Sequence, residues 1–311
     1  MNDYATIHQP VLLERCVELV APALDHDGAV AVDCTLGLAG HTIAFLKASP
    51  RARLIGIDRD AQALAMATER VRAEGLADRF TPVHAAFDAF SQVLDDVGVR
   101  RVDAVFMDLG LSSLQIDETE RGFSYSHDAP LDMRMDVSQP LTAERVLAEY
   151  DEPALTRIFR TYGEERYARQ IARRIVQRRA KRVFQALRIE VNGELDKLAS
   201  TLPQAANRLA VGGRLVVESY HSLEDKTVKT FMAQGLVADV PPGLPVIPPD
   251  AQPFFRDLTR GAVKADDGEI AHNPRSASVR LRGVELTRPI PQRWRRTFAS
   301  AAEPRHYEGG R

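Results

Sequence analysis

The stretch that decides the fold is Ala29-Val30-Ala31-Val32-Asp33-Cys34, which runs apolar up to an acid and opens onto Gly37-Leu38-Ala39-Gly40. A short, continuously apolar run is typical of a parallel strand buried on both faces. Three similar runs follow over residues 53–57, 80–84 and 102–107. The first ends at Asp58 and the third at Asp108, and helical periodicity occupies residues 61–74. Strands that alternate with helices predict an α/β sheet.

The sheet pattern breaks after Gly110 and resumes over residues 212–217. Between them lie a polar, turn-rich stretch and several helical segments, the last with apolar residues at spacings of four, four and three: Leu187, Val191, Leu195 and Leu198. We therefore predict a discontinuous sheet domain, residues 1–112 and 182–311, and an inserted helical substrate-binding subdomain, residues 113–181. Strand patterns over residues 255–263 and 278–286 predict a closing antiparallel pair.

The bulk composition is that of a folded chain without secretory or membrane features. The 311 residues carry a formal net charge of -2, so nucleic-acid binding would depend on a local patch rather than on overall charge. Cys16 and Cys34 are the only cysteines and lack metal-type spacing, so the sequence predicts no disulfide framework and no metal site. Residues 1–10 do not resemble a leader, and no apolar run approaches the ~20 residues of a membrane span. We expect a cytoplasmic protein.

The loop after the first strand is a candidate ligand loop. Loops at the carboxyl ends of parallel strands point backbone N–H groups and the start of the next helix toward ligands. Asp58 follows Gly37 by about 20 residues, where a carboxylate can accept hydrogen bonds from both hydroxyls of a ribose. The dinucleotide pattern of three glycines is broken by Ala39 and Thr42, which disfavours a pyrophosphate ligand. The alternative is that the glycines only form a tight turn.

Asp108 is a candidate for a role in chemistry, because it ends the fourth strand pattern close to the candidate loop. An aromatic amine is a poor nucleophile since its lone pair is delocalised into the ring, so a hydrogen-bond acceptor beside it would assist group transfer. A carboxylate that orients a cofactor or caps the next turn is the alternative. Neither cysteine lies in a nucleophile motif, which favours transfer without a covalent enzyme intermediate.

Eight motifs spread over nearly the whole chain resemble one known family. They are His8-Gln9-Pro10-Val11-Leu12-Leu13, residues 108–117, Glu120-Arg121-Gly122-Phe123-Ser124, Pro130-Leu131-Asp132-Met133-Arg134-Met135-Asp136, Tyr162-Gly163-Glu164-Glu165-Arg166, Phe184-Gln185-Ala186-Leu187-Arg188-Ile189, His221-Ser222-Leu223-Glu224-Asp225-Lys226, and Asn273-Pro274-Arg275-Ser276. The family is ribosomal RNA small subunit methyltransferase H, the MraW type. The resemblance implies a class I, Rossmann-like methyltransferase sheet with a helical insertion. It also implies methylation of N4 of a cytidine in the decoding region of 16S ribosomal RNA, within the small ribosomal subunit, with S-adenosyl-L-methionine as donor.

The resemblance assigns cofactor contacts to seven positions: Ala39, Gly40, His41, Asp58, Phe87, Asp108 and Gln115. Phe87 would flank the adenine, although an ordinary buried aromatic is the alternative from sequence alone. The chain departs from the family at three places. Ala39 stands where the family usually has glycine, and Leu114 replaces a usual proline beside Gln115. Between Ala180 and Lys181 the family normally has a further helical segment of some tens of residues.

Four positions are candidates for substrate binding. Residues 166–188 contain nine basic residues and no acid, and this stripe, which includes Arg173, suits a phosphate backbone. A solvated helix face is the alternative. Phe123 is a candidate for stacking on a flipped cytosine, with loop packing as the alternative. Arg134 and His221 complete the set.

The segment after His221 predicts a helix start. Ser222 fits the N-cap of a capping box, with Asp225 three residues later in place of the usual glutamate. A lone histidine at such a position is more often structural than catalytic.

Three other functions remain open at this stage. An amino-methyltransferase could act on DNA or a free nucleotide, although the acid, Pro-Pro and aromatic pattern of the DNA enzymes is absent after Met107. A non-catalytic RNA-binding or ribosome-assembly factor would bind the cofactor without turnover, and a dehydrogenase would bind NAD despite the broken glycine pattern. The sequence does not choose between naked RNA and an assembled particle as substrate, and a homodimer is one of the oligomeric states left open.

Overall fold

The computed structural model describes residues 10–111, 121–123, 129–178, 184–238, 240, 247–248, 251–292 and 294–295. The chain divides into two compact units. The first combines Met1–Gly110 with Asp196–Arg311, and the second is Leu111–Leu195. The second unit therefore includes a helix, Phe184–Asn192, that the predicted boundary at residue 182 assigned to the sheet domain.

A seven-stranded sheet forms the centre of the first unit. Its strands are β1 (Val30–Asp33), β2 (Arg53–Asp58), β3 (Phe80–His84), β4 (Val102–Asp108), β5 (Leu209–Ser219), β6 (Phe255–Asp257) and β7 (Arg280–Leu286). They lie in the order β3-β2-β1-β4-β5-β7-β6. The pairs among β1 to β5 are parallel, whereas β7 runs antiparallel to both β5 and β6. The predicted α/β class and the closing antiparallel pair are confirmed.

Helices cover both faces of this sheet. In chain order the described helices are α1 (Leu13–Val20), α2 (Gly40–Ala48), α3 (Ala61–Ala73), α4 (Phe90–Asp96), α5 (Ala143–Glu149), α6 (Glu152–Thr161), α7 (Ala168–Arg178), α8 (Phe184–Asn192), α9 (Glu194–Arg208), α10 (Ser222–Leu236) and α11 (Asp267–His272). Neighbouring strand residues such as Ala31 and Val32 point to opposite faces. Ala31 joins an apolar cluster with α1, α2 and α3, and Val32 joins another with α4, α9 and α10. Within the described ranges, none of the helices combines the length and apolarity that a membrane crossing requires.

One predicted helix is two helices in the structure. The apolar spacing from Leu187 to Leu198 predicted a continuous helix, but α8 ends at Asn192 and α9 begins at Glu194. Gly193 between them has φ 59°, a left-handed conformation that glycine adopts readily because it has no Cβ. The prediction was wrong because apolar spacing is insensitive to a one-residue break, whereas the glycine was the local signal for it.

The second unit has an apolar core of its own. Each of its four described helices contributes to this core, through residues such as Val146, Ile158, Ala172 and Leu187. Asn192 fixes the segment before α5, because its side chain donates to the carbonyl of Met133 and accepts from the N–H of Met135, both at 3.0 Å. The insertion is therefore a packed unit rather than a long loop.

Candidate active site

Four acidic residues stand at the carboxyl ends of adjacent strands in the first unit. Asp33 ends β1, Asp58 ends β2, Asp108 ends β4, and Glu218 is the last residue but one of β5. Asp108 and Glu218 are register partners across the β4–β5 pair. Because parallel strands present their carboxyl ends at one edge of the sheet, this edge gathers the acids where α/β sheets bind ligands.

The loop between β1 and α2 requires small residues. Gly37 and Ala39 have φ 51° and 62°, and Ala39 is the N-cap of α2. The left-handed conformation costs an alanine roughly 1–2 kcal/mol. Ala39 has no exposed surface, so the methyl group that departs from the family pattern packs inside the protein. A Cβ on Gly40 would lie 2.5 Å from Cγ of Pro10, a distance that only glycine avoids.

Asp58 holds this loop against the end of β2. One carboxylate oxygen accepts the N–H of Gly37 and the other accepts the N–H of Asp60, each at 2.8 Å. Burial, the largest cause, raises the pKa of Asp58 to about 6. Each carboxylate oxygen has a second lone pair, so the side chain can still accept hydrogen bonds from ribose hydroxyls. The hydrogen bond from Gly37 thus holds the loop that leads into Gly40 beside Asp58, so that two predicted cofactor residues lie at the same edge.

A hydrogen-bonded chain links the ends of β1 and β4. The Asp33 carboxyl accepts the hydroxyl of Thr42 at 2.8 Å and the N–H of Thr35 at 3.1 Å. The Thr35 hydroxyl in turn accepts the N–H of Asp108 at 2.7 Å. Burial raises the pKa of Asp33 to about 6. Asp33 therefore anchors the loop, while Asp108 is held by its own backbone and keeps its carboxyl for other partners.

The Asp108 carboxyl is paired with Tyr220, which follows the end of β5. The Tyr220 hydroxyl donates to this carboxyl. Burial raises the pKa of Asp108 to about 7, and the nearby charges of Asp33 and Glu224 add to that rise. Burial also raises the pKa of Tyr220, so its hydroxyl keeps its proton and remains a donor. Asp108 is thus a largely desolvated acceptor with a tyrosine hydroxyl beside it.

The ring of His41 points into the protein. It packs at 4.6 Å between ring centroids from Phe106, and its Nε2 lies 3.0 Å from the carbonyl oxygen of Val11. The residue is 6% exposed. A cofactor contact at this predicted position would therefore come from the main chain of α2.

Phe87 begins a short 3-10 turn after β3 and is half-buried. It packs against the apolar cluster that contains Val32, which agrees with the packing alternative and leaves part of the ring exposed. Gln115 and Leu114 lie outside the described residues.

Three predicted substrate residues lie in the second unit. Phe123 belongs to its apolar core and is 9% exposed, which favours loop packing over stacking on a base. The Arg134 guanidinium binds Asp132 at 2.7 and 2.8 Å and the carbonyls of Val137 and Gln139, so it closes a turn. Arg173 on α7 is exposed and lies only 3.5 Å from the carboxylate of Glu152.

His221, rather than Ser222, is the N-cap of α10. Its Nδ1 accepts the N–H of Glu224 at 3.4 Å, and the Glu224 carboxylate accepts the N–H of His221 at 3.2 Å. The predicted cap was one residue late because Asp225, its supposed partner, binds Arg282 on β7 at 2.7 Å instead. The imidazole is therefore engaged in the start of a helix, although it follows directly on Tyr220.

Sequence reasoning missed Asp33, Tyr220 and Glu218 as site residues. Asp33 carried a signal, since it ends the first strand as Asp58 and Asp108 end theirs. The role of Tyr220 depends on the pairing of β4 with β5, a contact between distant parts of the chain that local patterns do not encode.

Comparison with known proteins gives one consistent family. The MraW methylase family matches residues 5–182 and 177–287. The ribosomal RNA small subunit methyltransferase H of Bifidobacterium longum (strain DJO10A) is 72% identical over 332 residues, covering 97% of this chain and 92% of its own. That of Bifidobacterium adolescentis is 71% identical and covers 97% of both chains. An rRNA methylase structure from Streptococcus thermophilus is 13% identical over 91% of this chain and 99% of its own, with a TM-score of 0.44, and adds no weight.

These matches also bear on the junction between Ala180 and Lys181. The two segments matched by the family overlap at residues 177–182. The alignment with the Bifidobacterium longum relative spans 332 positions, more than the 311 residues of this chain, so the relative carries residues that this chain lacks.

With most of its length matched and relatives above 70% identity, the chain belongs to the MraW methylase family.

Proposed function

We propose that this chain is an S-adenosylmethionine-dependent methyltransferase that methylates N4 of a cytidine in 16S ribosomal RNA. One observation carries the proposal. Asp58 ends β2 and Asp108 ends β4, and these strands lie on either side of β1, so the two acids flank the loop between β1 and α2. Membership of the MraW methylase family and the names of its relatives agree with it. A cytoplasmic location follows, since that is where bacterial ribosomes are assembled.

The residues around the loop fit S-adenosylmethionine. Asp58 would accept hydrogen bonds from the ribose hydroxyls, and the main chain at Ala39 and Gly40 would lie against the ligand without an obstructing side chain. Phe87 would lie beside the adenine with the part of its ring that is exposed. The buried acids of this edge also suit a cation, and the cofactor, when bound, supplies a methyl group on a positively charged sulfur.

Asp108 and Tyr220 would orient the acceptor amine. The amino group of cytosine is a donor, and the Asp108 carboxyl is an acceptor whose other partner is already fixed by the Tyr220 hydroxyl. A hydrogen bond from N4 to Asp108 would hold the nitrogen lone pair toward the methyl group and stabilise the positive charge that develops on nitrogen. The Asp108 carboxylate would take up the proton that the methylated nitrogen loses, with S-adenosylhomocysteine as the leaving group. Asp108 would thus act as a catalytic residue, and Tyr220 as the residue that positions it.

Direct transfer agrees with the state of both cysteines. Cys16 and Cys34 are buried, and burial raises the pKa of both thiols well above the ordinary value. A protonated buried thiol is a poor nucleophile. We therefore propose that the methyl group passes to the amine in one displacement without an enzyme-bound covalent intermediate.

The arginines of α7 would contact the RNA backbone. Arg169 and Arg173 have side chains that are 71% and 53% exposed, and their described acidic neighbour, Glu152, lies at 3.5 Å from each. Such solvated pairs contribute little, so both guanidiniums can exchange Glu152 for phosphates. Tyr167, at the start of the same segment, is also exposed. We propose that the inserted unit binds substrate through this helix.

The test is methyl transfer from labelled S-adenosylmethionine to small-subunit particles and to free 16S ribosomal RNA, both lacking the modification. Nucleoside analysis should yield N4-methylcytidine at one site from at least one substrate. Comparing the two substrates tells whether the assembled particle is the acceptor. Cofactor binding without product from either would overturn the proposal in favour of a non-catalytic RNA-binding role. A different methylated nucleoside would overturn the assignment of the acceptor.

A further inference from the structure

A second cluster of reactive side chains lies beneath the sheet edge in the first unit. Cys16 comes from α1, His41 from α2 and Glu218 from β5. One ligand-type atom from each lies within 4.8 Å of the other two. Cys16 and Glu218 are fully buried and His41 nearly so. Three elements far apart in sequence thus bring a sulfur, a nitrogen and an oxygen donor to one point.

Two of the separations between these side chains are close to those around a tetrahedral ion. With Zn–S near 2.3 Å and Zn–N and Zn–O near 2.0–2.1 Å, two ligand atoms at a tetrahedral angle lie about 3.3–3.6 Å apart. Cys16 Sγ lies 3.6 Å from Glu218 Oε1, and His41 Nε2 lies 3.7 Å from Glu218 Oε2. The carbonyl oxygen of Val11, now 3.0 Å from Nε2, would have to move by a few tenths of an ångström to serve as a fourth ligand.

The Glu218 carboxyl lacks compensation from the described protein groups. Among the residues that the structure describes, only Cys16 donates to its Oε1, through a weak thiol hydrogen bond. Its Oε2 has no hydrogen-bond partner among the described residues, although the side chain is completely buried. A carboxyl in such a place must be neutralised, either by its own proton or by a bound cation. An unpartnered buried oxygen that faces a thiol and an imidazole is the arrangement that a metal ion would satisfy.

The orientation of His41 agrees with a metal ligand. Nε2 faces Glu218, while Nδ1 lies 3.8 Å from Oδ2 of Asp108. Metal-bound histidines commonly present their second nitrogen to a carboxylate, which fixes the ring and its tautomer. Because the carbonyl of Val11 can only accept, Nε2 carries the proton in this structure. Metal binding would shift that proton to Nδ1 and make the Nε2 lone pair available to the ion.

We propose that Cys16, His41 and Glu218 form a binding site for a zinc-like divalent transition-metal ion. A mixed set of thiolate, imidazole and carboxylate suits borderline-soft ions and disfavours magnesium or calcium, which prefer oxygen ligands alone. The ion would cross-link α1, α2 and β5, and through His41 it would fix the position of Asp108. Binding would release the thiol proton of Cys16, as metal sites with cysteine do.

The experiment is expression of the full chain in minimal medium supplemented with zinc or cobalt, so that the ion can enter during folding. Elemental analysis after removal of loosely bound metal should give about one equivalent of the ion per chain. The cobalt protein should show a near-ultraviolet thiolate-to-cobalt charge-transfer band and the visible bands of a tetrahedral ion. A folded protein with neither metal nor these bands would overturn the proposal.

Two variants and one control locate the ion. Cys16→Ser should abolish the charge-transfer band, and Glu218→Gln should lower the bound metal at least tenfold under chelator competition. Cys34→Ser removes the other buried thiol, which lies outside the cluster, and should keep both band and metal. A band that persists in Cys16→Ser, or disappears in Cys34→Ser, would contradict the site. Cooperative thermal unfolding of each variant checks its fold, and if Cys16→Ser does not fold, the metal content of Glu218→Gln decides.

Discussion

The sheet edge of the first unit and helix α7 of the second hold charge in opposite environments. At the edge, Asp33 and Glu218 have almost no exposed surface and depend on neighbouring hydroxyls, N–H groups and a thiol. On α7, Arg169 and Arg173 are mostly in solvent with one shared carboxylate at 3.5 Å. The acids are therefore buried and hydrogen-bonded, whereas the arginines are exposed and hydrated.

This difference separates two kinds of recognition. Fixed, buried charges interact strongly with a small ligand of opposite charge, because water no longer screens them. Exposed charges on flexible side chains gain little from any single partner but collectively suit a polyanion, since each phosphate contact releases counterions. The acidic edge is suited to orienting a small ligand and assisting its reaction. The basic helix is suited to binding a large polyanionic substrate. Four variants, three single and one double, test that contrast, from the largest expected effect to the smallest.

Asp108→Asn should reduce the rate of methyl transfer at saturating cofactor by about 10²–10³, because it removes the charge that stabilises the developing cation on the acceptor nitrogen. Asparagine keeps the size of the side chain and one acceptor oxygen. Single-turnover kinetics and cofactor titration measure rate and affinity separately. An unchanged rate would mean that Asp108 takes no part in methyl transfer and that the sheet edge only binds the cofactor.

Asp33→Asn should make stability less sensitive to pH. The folded pKa of Asp33, about 6, lies above its ordinary value of 3.8 because the carboxyl is buried. Its contribution to stability is therefore complete below about pH 3.8 and is lost as the pH rises through about 6. At about 1.4 kcal/mol per pKa unit, the stability of the unsubstituted protein relative to Asp33→Asn should fall by up to about 3 kcal/mol between pH 4 and 7.5. Urea unfolding at several pH values measures this, and parallel profiles would contradict a buried, titrating Asp33.

Asp58→Ala should weaken cofactor binding by about 10- to 150-fold, the effect of losing hydrogen bonds to a charged group worth about 1.5–3 kcal/mol. Isothermal titration calorimetry with S-adenosylhomocysteine measures it. Asp27→Ala is the matched control, because Asp27 is an acid with an 89% exposed side chain that precedes β1, whereas the loop follows β1, and it should leave affinity unchanged. Normal affinity in Asp58→Ala would overturn the ribose assignment.

The double substitution Arg169→Ala with Arg173→Ala should weaken RNA binding about tenfold and reduce the slope of log affinity against log salt by about 1–2. Arg145→Ala on α5 is the control, since its side chain is 50% exposed and pairs with Glu149 in the next turn. Filter binding over a range of salt concentrations measures both. Equal slopes for the double variant and the control would show α7 to be an ordinary solvated helix.

The sequence predicted those parts of the molecule that local patterns encode. Strand endings at Asp58 and Asp108 followed from apolar runs stopped by an acid, and the α/β class followed from their alternation with helices. The break at Gly193 was missed because the apolar spacing continues through it. The cap at His221 was missed because Asp225, the expected capping partner, binds Arg282 on a distant strand.

Which residues meet at the site depends on contacts between distant segments of the chain, which local sequence patterns do not predict. Tyr220 reaches Asp108 only because β5 lies beside β4, and Glu218 meets Cys16 across most of the chain. The resemblance to a family supplied cofactor positions that periodicity could not, yet the inward ring of His41 and the burial of Phe123 depend on packing that the motifs do not contain.

The insertion also determines when the sheet can be completed during synthesis. β4 ends at Asp108, and its neighbour β5 does not begin until Leu209, roughly 100 residues that a ribosome adds in about 5–20 s. Throughout that interval the central strand of the nascent sheet has one unpaired edge, which is prone to pair with other chains. The independent core of the second unit can form meanwhile, which shortens the distance over which the two strands must then find each other. A chain with a shorter insertion reaches that pairing sooner.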